Sequence, residues 1–347
     1  MSVKPVMIED LDPASRDAGV PAHFGDPLRE QRLLATEAGL VDRGNRGVLA
    51  VPGVDRLSWL HSISTQHLTA LAPWQGTQTL VLSPHGHIEH HAFVTEDGET
   101  TWLDVDPGAA PALLDFLQRM RFLMRVEPAD VTADWALLSL VGPAAAKVID
   151  LDAPSVAPVP GPKFAAGSVP PLSTSVYAVK PAFGGWARRD ELGVDLLVPR
   201  DSVDAVVAEL DVPRAGLWAY EAMRVEARRA RLGLETDHRT LPAEVGLTAD
   251  AVHLEKGCYR GQETIARVHN LGRPPRRLVL LHLDGVASDH PPAPGTEVVS
   301  DGRTVGFVGT ALLHHELGMV ALAVLKRNIS DDAPLMVGES VAAIDPE

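Results

Sequence analysis

The stretch that most constrains the fold begins at Arg276 and runs to the end of the sequence. It contains short β-prone runs, among them RRLVLLHL, TVGFVG, MVALAVL and SVAAI, which are separated by Gly and Asp turn residues. Strands this short, with turns this closely spaced, are typical of a small antiparallel barrel. The sequence therefore predicts a separate C-terminal β-barrel domain over residues 276–347.

A mixed pattern precedes this tail. Between Gly47 and Val105, the strand-like runs GVLAV, TQTLVLS, HIEHHAFV and TTWLDV accompany the helix-like run VDRLSWLHSIS. This order predicts an α+β unit with antiparallel strands. We further predict a helix over Pro111–Arg125 and an amphipathic helix over Leu217–Leu232, with Arg224 at the margin of its buried face. Two proline-rich stretches, Asp152–Ser175 and Val286–Gly295, are predicted to be loops or linkers.

The charge balance and the hydropathy exclude several classes of function. A formal net charge of -15 disfavours an extensive nucleic-acid surface, which needs clustered Lys and Arg. The N-terminus lacks the basic start and apolar core of a signal peptide, and no apolar run is long enough to span a bilayer. The single cysteine, Cys258, cannot form an intrachain disulfide. We therefore expect a cytoplasmic protein with no membrane partner.

The segment KGCYRGQE, from Lys256 to Glu263, concentrates chemically unusual residues. If it is extended, Lys256, Cys258 and Arg260 project to one side, and a thiol flanked by two cations ionises more easily. The plainer interpretation is a turn with a compact buried cysteine and solvated charges. The spacing alone favours that plainer interpretation.

A longer resemblance favours a functional role for this segment over the plainer interpretation. KGCYRGQETIARVHNLGRPPRRL, from Lys256 to Leu278, resembles the signature of the YgfZ-type folate-binding proteins. These proteins are relatives of the glycine-cleavage T-protein (aminomethyltransferase) and include mitochondrial iron-sulfur assembly factors. The resemblance continues upstream through MRVEARRARLGLETDHRTLPAEVGL and, more weakly, over most of the chain after residue 28.

The resemblance implies an α+β, three-lobed ring with tetrahydrofolate, or a one-carbon derivative of it, in a central cavity. Residues 1–275 would form the folate-binding region, as two interleaved lobes of mixed α/β structure with antiparallel sheets. One lobe would combine approximately residues 1–50 with 135–234, and the other 51–134 with 235–275. The barrel over residues 276–347 would be the third lobe.

The resemblance also assigns candidate cofactor-binding residues. Glu191, in RRDELGVDLLVP, falls where T-proteins hold the pterin, and Arg224 falls where their helix supplies an arginine. Tyr259, Gln262 and Glu263 complete the set. The plainer alternatives are an exposed turn carboxylate for Glu191, and for Arg224 a surface ion pair with Glu221 worth about 0.3–0.5 kcal/mol. In the functional interpretation, Arg224→Ala weakens folate binding without unfolding the chain.

The segment GHIEHHAFV argues against the T-protein reaction. T-proteins carry an aspartate pair at the positions of His90 and His91, and the catalytic carboxylate there corresponds to His90. An imidazole cannot replace a fixed anion beside a developing iminium. Glu89 could restore the charge only through a register shift, which turns its side chain to the opposite face of the strand. His85, His87, His90 and His91 also lack the spacing of a closed zinc site, so we expect no metal.

Three functions follow as hypotheses. The leading one is a folate-binding accessory protein that supports iron-sulfur cluster assembly or repair and, through client enzymes, tRNA modification. In it, Cys258, activated by Lys256, faces a reactive iron-sulfur client or assembly protein. The first alternative is a folate-dependent one-carbon transferase or demethylase, and the second is a non-catalytic interaction protein with a vestigial cavity.

Overall fold

The structure is a computed structural model that describes residues 4–151, 177–285 and 290–346. Its contacts divide the chain into two compact units. The first unit combines Met1–Leu82, Glu89–Tyr220 and Ala249–Arg260, and the second combines Ser83–Ile88, Glu221–Thr248 and Gly261–Glu347. The predicted loop Asp152–Ser175 and the first four residues of Val286–Gly295 lie outside the described residues.

The strands before the barrel are short, and helices alternate with them. In chain order these strands are β1 (Val6–Met7), β2 (Pro21–His23), β3 (Gly39–Asp42), β4 (Gly47–Pro52), β5 (Gln75–Leu82), β6 (Ile88–Glu96), β7 (Thr100–Val105), β8 (Ala129–Asp130), β9 (Trp135–Val141), β10 (Tyr177–Ala182), β11 (Gly185–Arg189), β12 (Gly193–Pro199) and β13 (Arg214–Ala215). The α-helices are α1 (Ile8–Leu11), α2 (Pro27–Thr36), α3 (Arg56–Ile63), α4 (Ala110–Arg119), α5 (Ala145–Val148), α6 (Val203–Leu210), α7 (Leu217–Glu226), α8 (Thr248–Ala251) and α9 (Gln262–Leu271).

One large sheet organises the first unit, in the strand order β13-β3-β9-β12-β11-β10-β5-β6-β7-β4-β8. Antiparallel pairing is extensive, as between β9 and β12 from Gly193 opposite Val141 to Pro199 opposite Trp135. Two apolar clusters cover the sheet. One joins α3 and α4 to β4, β6 and β7, and the other joins α5 and α6 to β3, β9 and β12. These features confirm the predicted α+β class.

The predicted C-terminal β-barrel is also confirmed. In the second unit, β14 (Arg276–Leu283), β15 (Glu297–Ser300), β16 (Arg303–His314), β17 (Gly318–Lys326), β18 (Leu335–Val337) and β19 (Ser340–Ile344) form a closed barrel in the order β14-β17-β16-β15-β18-β19. Alternate residues such as Leu281, Val308 and Leu325 fill its interior. No helix among the described residues is long and apolar enough to cross a membrane.

Helix boundaries differ from the predicted ones where the backbone enters the left-handed region. Helix α4 ends at Arg119 rather than Arg125, and Phe122 beyond it has φ 44°. Helix α7 ends at Glu226 rather than Leu232, and Arg228 has φ 52°. Left-handed residues end right-handed helices because the intrahelical hydrogen bonds cannot continue through them. Helix α9 was not predicted, and only its first two residues, Gln262 and Glu263, belong to the segment interpreted as a turn.

Candidate functional site

A buried network of three arginines and three aspartates lies in the large sheet of the first unit. Arg188 on β11 donates to Asp104 on β7 at 2.6 Å and to Asp195 on β12 at 2.9 Å. Arg46 donates to Asp104 at 2.9 Å and to Asp106 at 3.0 Å. Arg43 donates to Asp195 at 3.3 Å, and also to the hydroxyl of Ser139 at 3.0 Å. Each charge therefore has a partner of opposite sign.

Burial makes this network electrostatically strong. The Arg188 side chain is 0% exposed. Burial alone would lower its pKa, but Asp104 and Asp195 raise the pKa above the usual arginine value. Burial would likewise raise the pKa of Asp104, but Arg188 and Arg46 lower it. Arg188 and Asp104 are therefore held in their ionised forms in an environment of low dielectric.

An aromatic and amide face lies beside the network. His91 on β6 shares a hydrogen bond of 2.8 Å between its Nε2 and Oε1 of Gln78 on β5, and the Gln78 amide donates to the Tyr177 hydroxyl at 2.6 Å. The Phe93 ring lies 5.4 Å from the His91 ring, and the Arg188 guanidinium lies 4.9 Å from the Phe93 ring. This face offers both flat rings and mixed hydrogen-bonding groups.

His90 points to the other face of β6, as alternation along a strand requires. It lines a small apolar pocket, together with side chains from α3, α4, β5 and β7 such as Leu60, Val81 and Leu113. Burial lowers the pKa of His90. Its neighbour Glu89 is exposed and pairs with Arg260 at 3.0 Å. The imidazole is therefore neutral near pH 7, and no carboxylate lines the pocket with it.

Lys256 caps the C-terminal end of helix α3. Its ammonium group donates to the carbonyl oxygens of His61, of Ser64 at 2.6 Å and of Gln66 at 3.1 Å. A cation at this end of a helix is favourable because the helix dipole is negative there. Burial nevertheless lowers the pKa of Lys256 to about 7. The residue ties the KGCYRGQE segment to the first unit.

The expectation that Lys256, Cys258 and Arg260 share one face is wrong. Lys256 is buried, whereas Cys258 and Arg260 are exposed. The segment is a series of turns rather than a strand, so side chains do not alternate along it. The predicted activation of the Cys258 thiol by Lys256 therefore lacks its geometric basis. The interpretation of Cys258 as a buried core residue is also wrong, because its thiol is exposed.

The remaining residues of KGCYRGQE differ from one another in burial and in hydrogen bonding. Tyr259 is buried, its hydroxyl has no hydrogen-bond partner among the described residues, and burial raises its pKa to about 12. Gln262 is half-buried and Glu263 is exposed, both in the first turn of α9. Gly261, with φ 83°, precedes this helix, and a Cβ there would lie 2.7 Å from the Ser83 carbonyl oxygen. Only glycine fits that close approach.

Glu191 is exposed in the turn between β11 and β12. Its neighbour Asp190 is buried and accepts a hydrogen bond from the backbone N–H of Leu192 at 3.0 Å. The assignment of Glu191 to the pterin stays a prediction.

Arg224 is buried in the second unit, not at the margin or surface of its helix. Its guanidinium donates twice to Glu221, at 3.0 and 2.8 Å, and once each to Glu235, the Thr310 hydroxyl and the Arg229 carbonyl. All five N–H groups of the side chain are thereby engaged. Burial alone would raise the pKa of Glu221, but Arg224 and Arg231 lower it to about 2. A ligand could bind this arginine only by displacing one of its partners.

The histidines do not form a metal site. Within residues 4–151, 177–285 and 290–346, no group of three or more His, Cys, Asp or Glu side chains is placed to hold a metal ion. His85 and His87 lie in the turn before β6, with ring centroids 6.0 Å apart.

Sequence reasoning missed the buried network of the first unit. Its members are spread over the chain, and Arg43 and Asp195 are 152 residues apart. A usable signal was nevertheless present, because Asp104, Arg188 and Asp195 are charged residues inside otherwise apolar or aromatic strands. Such residues are buried only when they are paired.

Comparison with known proteins places these features in a family. The GCVT N-terminal domain matches residues 20–256, which is more than half of the chain. An aminomethyltransferase of Geobacillus kaustophilus is 29% identical over 327 residues, covering 90% of this chain and 85% of that protein. A putative chloroplastic transferase of Arabidopsis thaliana is 27% identical, covering 89% and 70%.

A solved structure supports the same relationship at the level of the fold. The glycine cleavage system aminomethyltransferase T of Bartonella henselae superimposes with a TM-score of 0.74 at 19% identity, covering 100% of this chain and 97% of that one. The chain therefore belongs to the family of the GCVT N-terminal domain.

Proposed function

We propose that this chain is a cytoplasmic tetrahydrofolate-binding accessory protein that supports iron-sulfur cluster assembly or repair and, through its client enzymes, tRNA modification. It would act by presenting a folate site and an exposed thiol to partner proteins, rather than by transferring aminomethyl groups.

The observation that carries the proposal is the environment of His90. This residue occupies the position that resembles the catalytic carboxylate of T-proteins, yet its imidazole is neutral and lines an apolar pocket. Glu89 does not supply the missing charge, because its carboxylate is engaged with Arg260. On the opposite face of β6, where we propose that folate binds, the second position of the T-protein aspartate pair is His91, which shares a hydrogen bond with Gln78 and likewise supplies no fixed anion for an iminium-like transition state. Aminomethyl transfer is therefore disfavoured, while the rest of the fold is retained.

In this proposal a pterin-type ring would bind against the aromatic and amide face of the first unit. Tyr177, His91 and Phe93 offer flat surfaces for stacking, and Gln78 offers both a donor and an acceptor. The Trp186 indole N–H and the Arg188 Nε–H are buried and lack partners among the described residues, so donors for a ligand remain. Tetrahydrofolate, when bound, would carry a one-carbon unit. Among the candidates from resemblance, Glu191 and Tyr259 are retained as secondary folate contacts, whereas Arg224 is not, because all of its N–H groups are engaged within the chain. The assignments of Gln262 and Glu263 stay predictions.

The exposure of Cys258 supports the proposed role with iron-sulfur partner proteins. Its thiol is exposed, so a partner protein can approach it directly. One thiol cannot supply the four ligands of an ordinary iron-sulfur cluster, so storage of a cluster by this chain alone is disfavoured. The role of Lys256 is to hold the Cys258 segment against helix α3, through the three carbonyl contacts of its ammonium group.

Calorimetric titration with tetrahydrofolate tests the folate part. We expect saturable binding in the micromolar range. We expect Gln78→Ala and Tyr177→Phe each to weaken it by about 3- to 10-fold, because Tyr177→Phe removes one hydrogen bond of the face and Gln78→Ala removes two. Gln118→Ala, at an exposed position of helix α4, is the matched control and should bind as the unmodified chain does. Absence of heat at high micromolar ligand would refute the folate part.

Complementation of a deletion strain tests the thiol. We expect Cys258→Ala to leave the fold and tetrahydrofolate binding intact, because the side chain is exposed, but to restore iron-sulfur enzyme activities to less than about a tenth of the level reached by the unmodified chain. Full restoration by the variant would remove Cys258 from the mechanism. That outcome would not bear on tetrahydrofolate binding. The thiol part and the folate part of the proposal can therefore be refuted independently.

A folate-dependent one-carbon transferase or demethylase is the second candidate. It is favoured by the names of the relatives, several of which are aminomethyltransferases at 25–29% identity over most of this chain. Tetrahydrofolate-dependent turnover of a methylated amine would support it against the leading proposal.

A further inference from the structure

Three histidines lie side by side in the first unit, where two stretches that are distant in the sequence meet. His61 is in the last turn of helix α3, His67 is in the loop after it, and His253 lies between helix α8 and KGCYRGQE. The ring centroids of His61 and His67 are 4.8 Å apart, and those of His67 and His253 are 5.1 Å apart. We call the three residues the histidine cluster, and residues 250–256 the docked segment.

Each ring of the cluster keeps one buried nitrogen without a hydrogen bond. The Nδ1 atoms of His61, His67 and His253 have no partner within the described part of the chain. Buried polar atoms in native proteins are nearly always paired, so three unpaired atoms in one cluster need an explanation. Metal ligation does not supply it, since no three His, Cys, Asp or Glu side chains of the described residues are placed to hold a metal ion.

The docked segment is joined to the loop after helix α3 by hydrogen bonds beside the cluster. The Thr65 hydroxyl donates to the Ala251 carbonyl oxygen at 2.6 Å, and the His253 N–H donates to the Thr65 carbonyl oxygen at 3.0 Å. At the other end of the segment, the Lys256 ammonium group donates to its three carbonyl oxygens. The contact therefore has two rings of the cluster on the loop side and the third ring on the segment side.

The surroundings of the cluster disfavour its protonation. Burial lowers the pKa of all three histidines, that of His61 to about 4, and the Lys256 ammonium group lowers all three further. Carbonyl groups at the end of a helix favour a cation, but here the His61 and Ser64 carbonyl oxygens are already engaged by Lys256. At neutral pH the three rings are therefore uncharged.

The other charged groups of these elements do not compensate a protonated ring. On helix α3, Arg56 pairs with Glu96. Strand β5, whose Leu80 carbonyl accepts from the loop, carries no charged residue. The carboxylates of the docked segment, Asp250 and Glu255, do not offset the Lys256 charge at any of the three rings. An imidazolium formed here would face other cations and no anion.

We propose that the histidine cluster is an acid-sensitive latch, which holds the docked segment against the first unit at neutral pH and releases it, together with Cys258, when the cluster is protonated. Protonated rings on the two sides of the contact repel one another and Lys256. In the released segment and loop the rings are solvated and titrate near their ordinary value of about 6.5. The released state therefore binds protons more tightly, so docking is stable above about pH 6.5 and weakens as the pH falls towards 4.

Hydrogen exchange of residues 250–256, corrected for the intrinsic pH dependence of amide exchange, tests the latch on the full chain. We expect protection of these amides to fall by at least about 10-fold between pH 7.5 and pH 5.0, because the change in the pKa of His61 alone permits about 30-fold. Protection in β9 and β12 of the same unit should stay constant. Equal protection of the docked segment at both pH values would overturn the proposal. So would an equal loss in β9 and β12, which would indicate acid unfolding of the whole unit.

Variants of the cluster complete the test. Replacing all three histidines by Gln should abolish the acid effect, and His67→Gln alone, which removes the middle ring, should reduce it by at least about 2-fold. His238→Gln, at an exposed position of the second unit, is the matched control and should leave the effect unchanged. If the triple variant does not fold, His67→Gln decides the question. An acid effect of full size in His67→Gln would contradict the latch.

Discussion

We expect the substitution Arg188→Met to lower the free energy of unfolding of the first unit by about 3–5 kcal/mol. The guanidinium bridges Asp104 and Asp195, and its side chain has no exposed surface. Methionine fills a similar volume, so the loss is not that of a large cavity. The buried network of the unmodified chain holds three cations and three carboxylates. In the variant two cations and three carboxylates remain, so one negative charge is not compensated.

Urea unfolding followed by tryptophan fluorescence measures this loss. All six tryptophans of the chain lie between Trp59 and Trp218, so their emission reports on the first unit. Arg189→Met is the control, because the neighbouring arginine is only half-buried and should cost less than about 1 kcal/mol. If Arg188→Met and Arg189→Met had equal effects, the network would not stabilise the sheet.

A second variant separates charge from packing. Adding Asp195→Asn to Arg188→Met leaves two cations and two carboxylates in the network, with Arg46 still paired to Asp104 and Asp106. We expect the double variant to recover at least about 1 kcal/mol relative to Arg188→Met. No recovery would attribute the loss to packing around residue 188 instead. This comparison remains available if Arg188→Met alone does not fold.

The barrel and the mixed sheet could be predicted because their signals are local. From Arg276 onward, each strand carries its own alternation and each turn its own Gly or Asp, so the element pattern alone indicates a small barrel. Helix ends were harder to predict. Phe122 and Arg228 adopt left-handed conformations that neither residue type favours, and only tertiary contacts specify such positions.

The geometry of the candidate site could not be predicted because its contacts join residues that are far apart in the sequence. Strand alternation led to the expectation that Lys256 and Cys258 face the same side, but contacts with carbonyls nearly 200 residues earlier in the chain draw Lys256 inward. Arg224 was predicted at a helix margin from spacing alone, and two of its partners, Glu235 and Thr310, lie outside that helix. Long-range pairing of charges leaves no local periodicity. In the sequence, such pairing is indicated only by a charged residue within an otherwise apolar strand.

Burial of Arg224 reverses the expectation drawn from the sequence. We now expect Arg224→Met to lower the free energy of unfolding of the second unit by about 3–5 kcal/mol, rather than to weaken folate binding in an intact fold. Without the guanidinium, Glu221 keeps its ion pair with Arg231, but Glu235 is left with backbone N–H donors only. The Thr310 hydroxyl and the Arg229 carbonyl also lose a donor. Unpaired carboxylates in a buried site cost far more than an exposed i,i+3 pair contributes.

Hydrogen exchange followed by mass spectrometry locates this effect, because the second unit contains no tryptophan. We expect faster exchange in β16, which carries Thr310, and in residues 221–248. Arg267→Met, at an exposed position of helix α9, is the control and should leave exchange unchanged. Glu235 is fully buried and accepts hydrogen bonds from Arg224, the Arg231 N–H and the Thr310 N–H. In Arg224→Met its carboxylate has no cation partner. Adding Glu235→Gln removes that buried charge and should recover part of the lost free energy of unfolding. If Arg224→Met instead left stability and exchange intact while weakening tetrahydrofolate binding, the arginine would be a ligand contact, and its five intramolecular hydrogen bonds would be a resting arrangement that the ligand displaces.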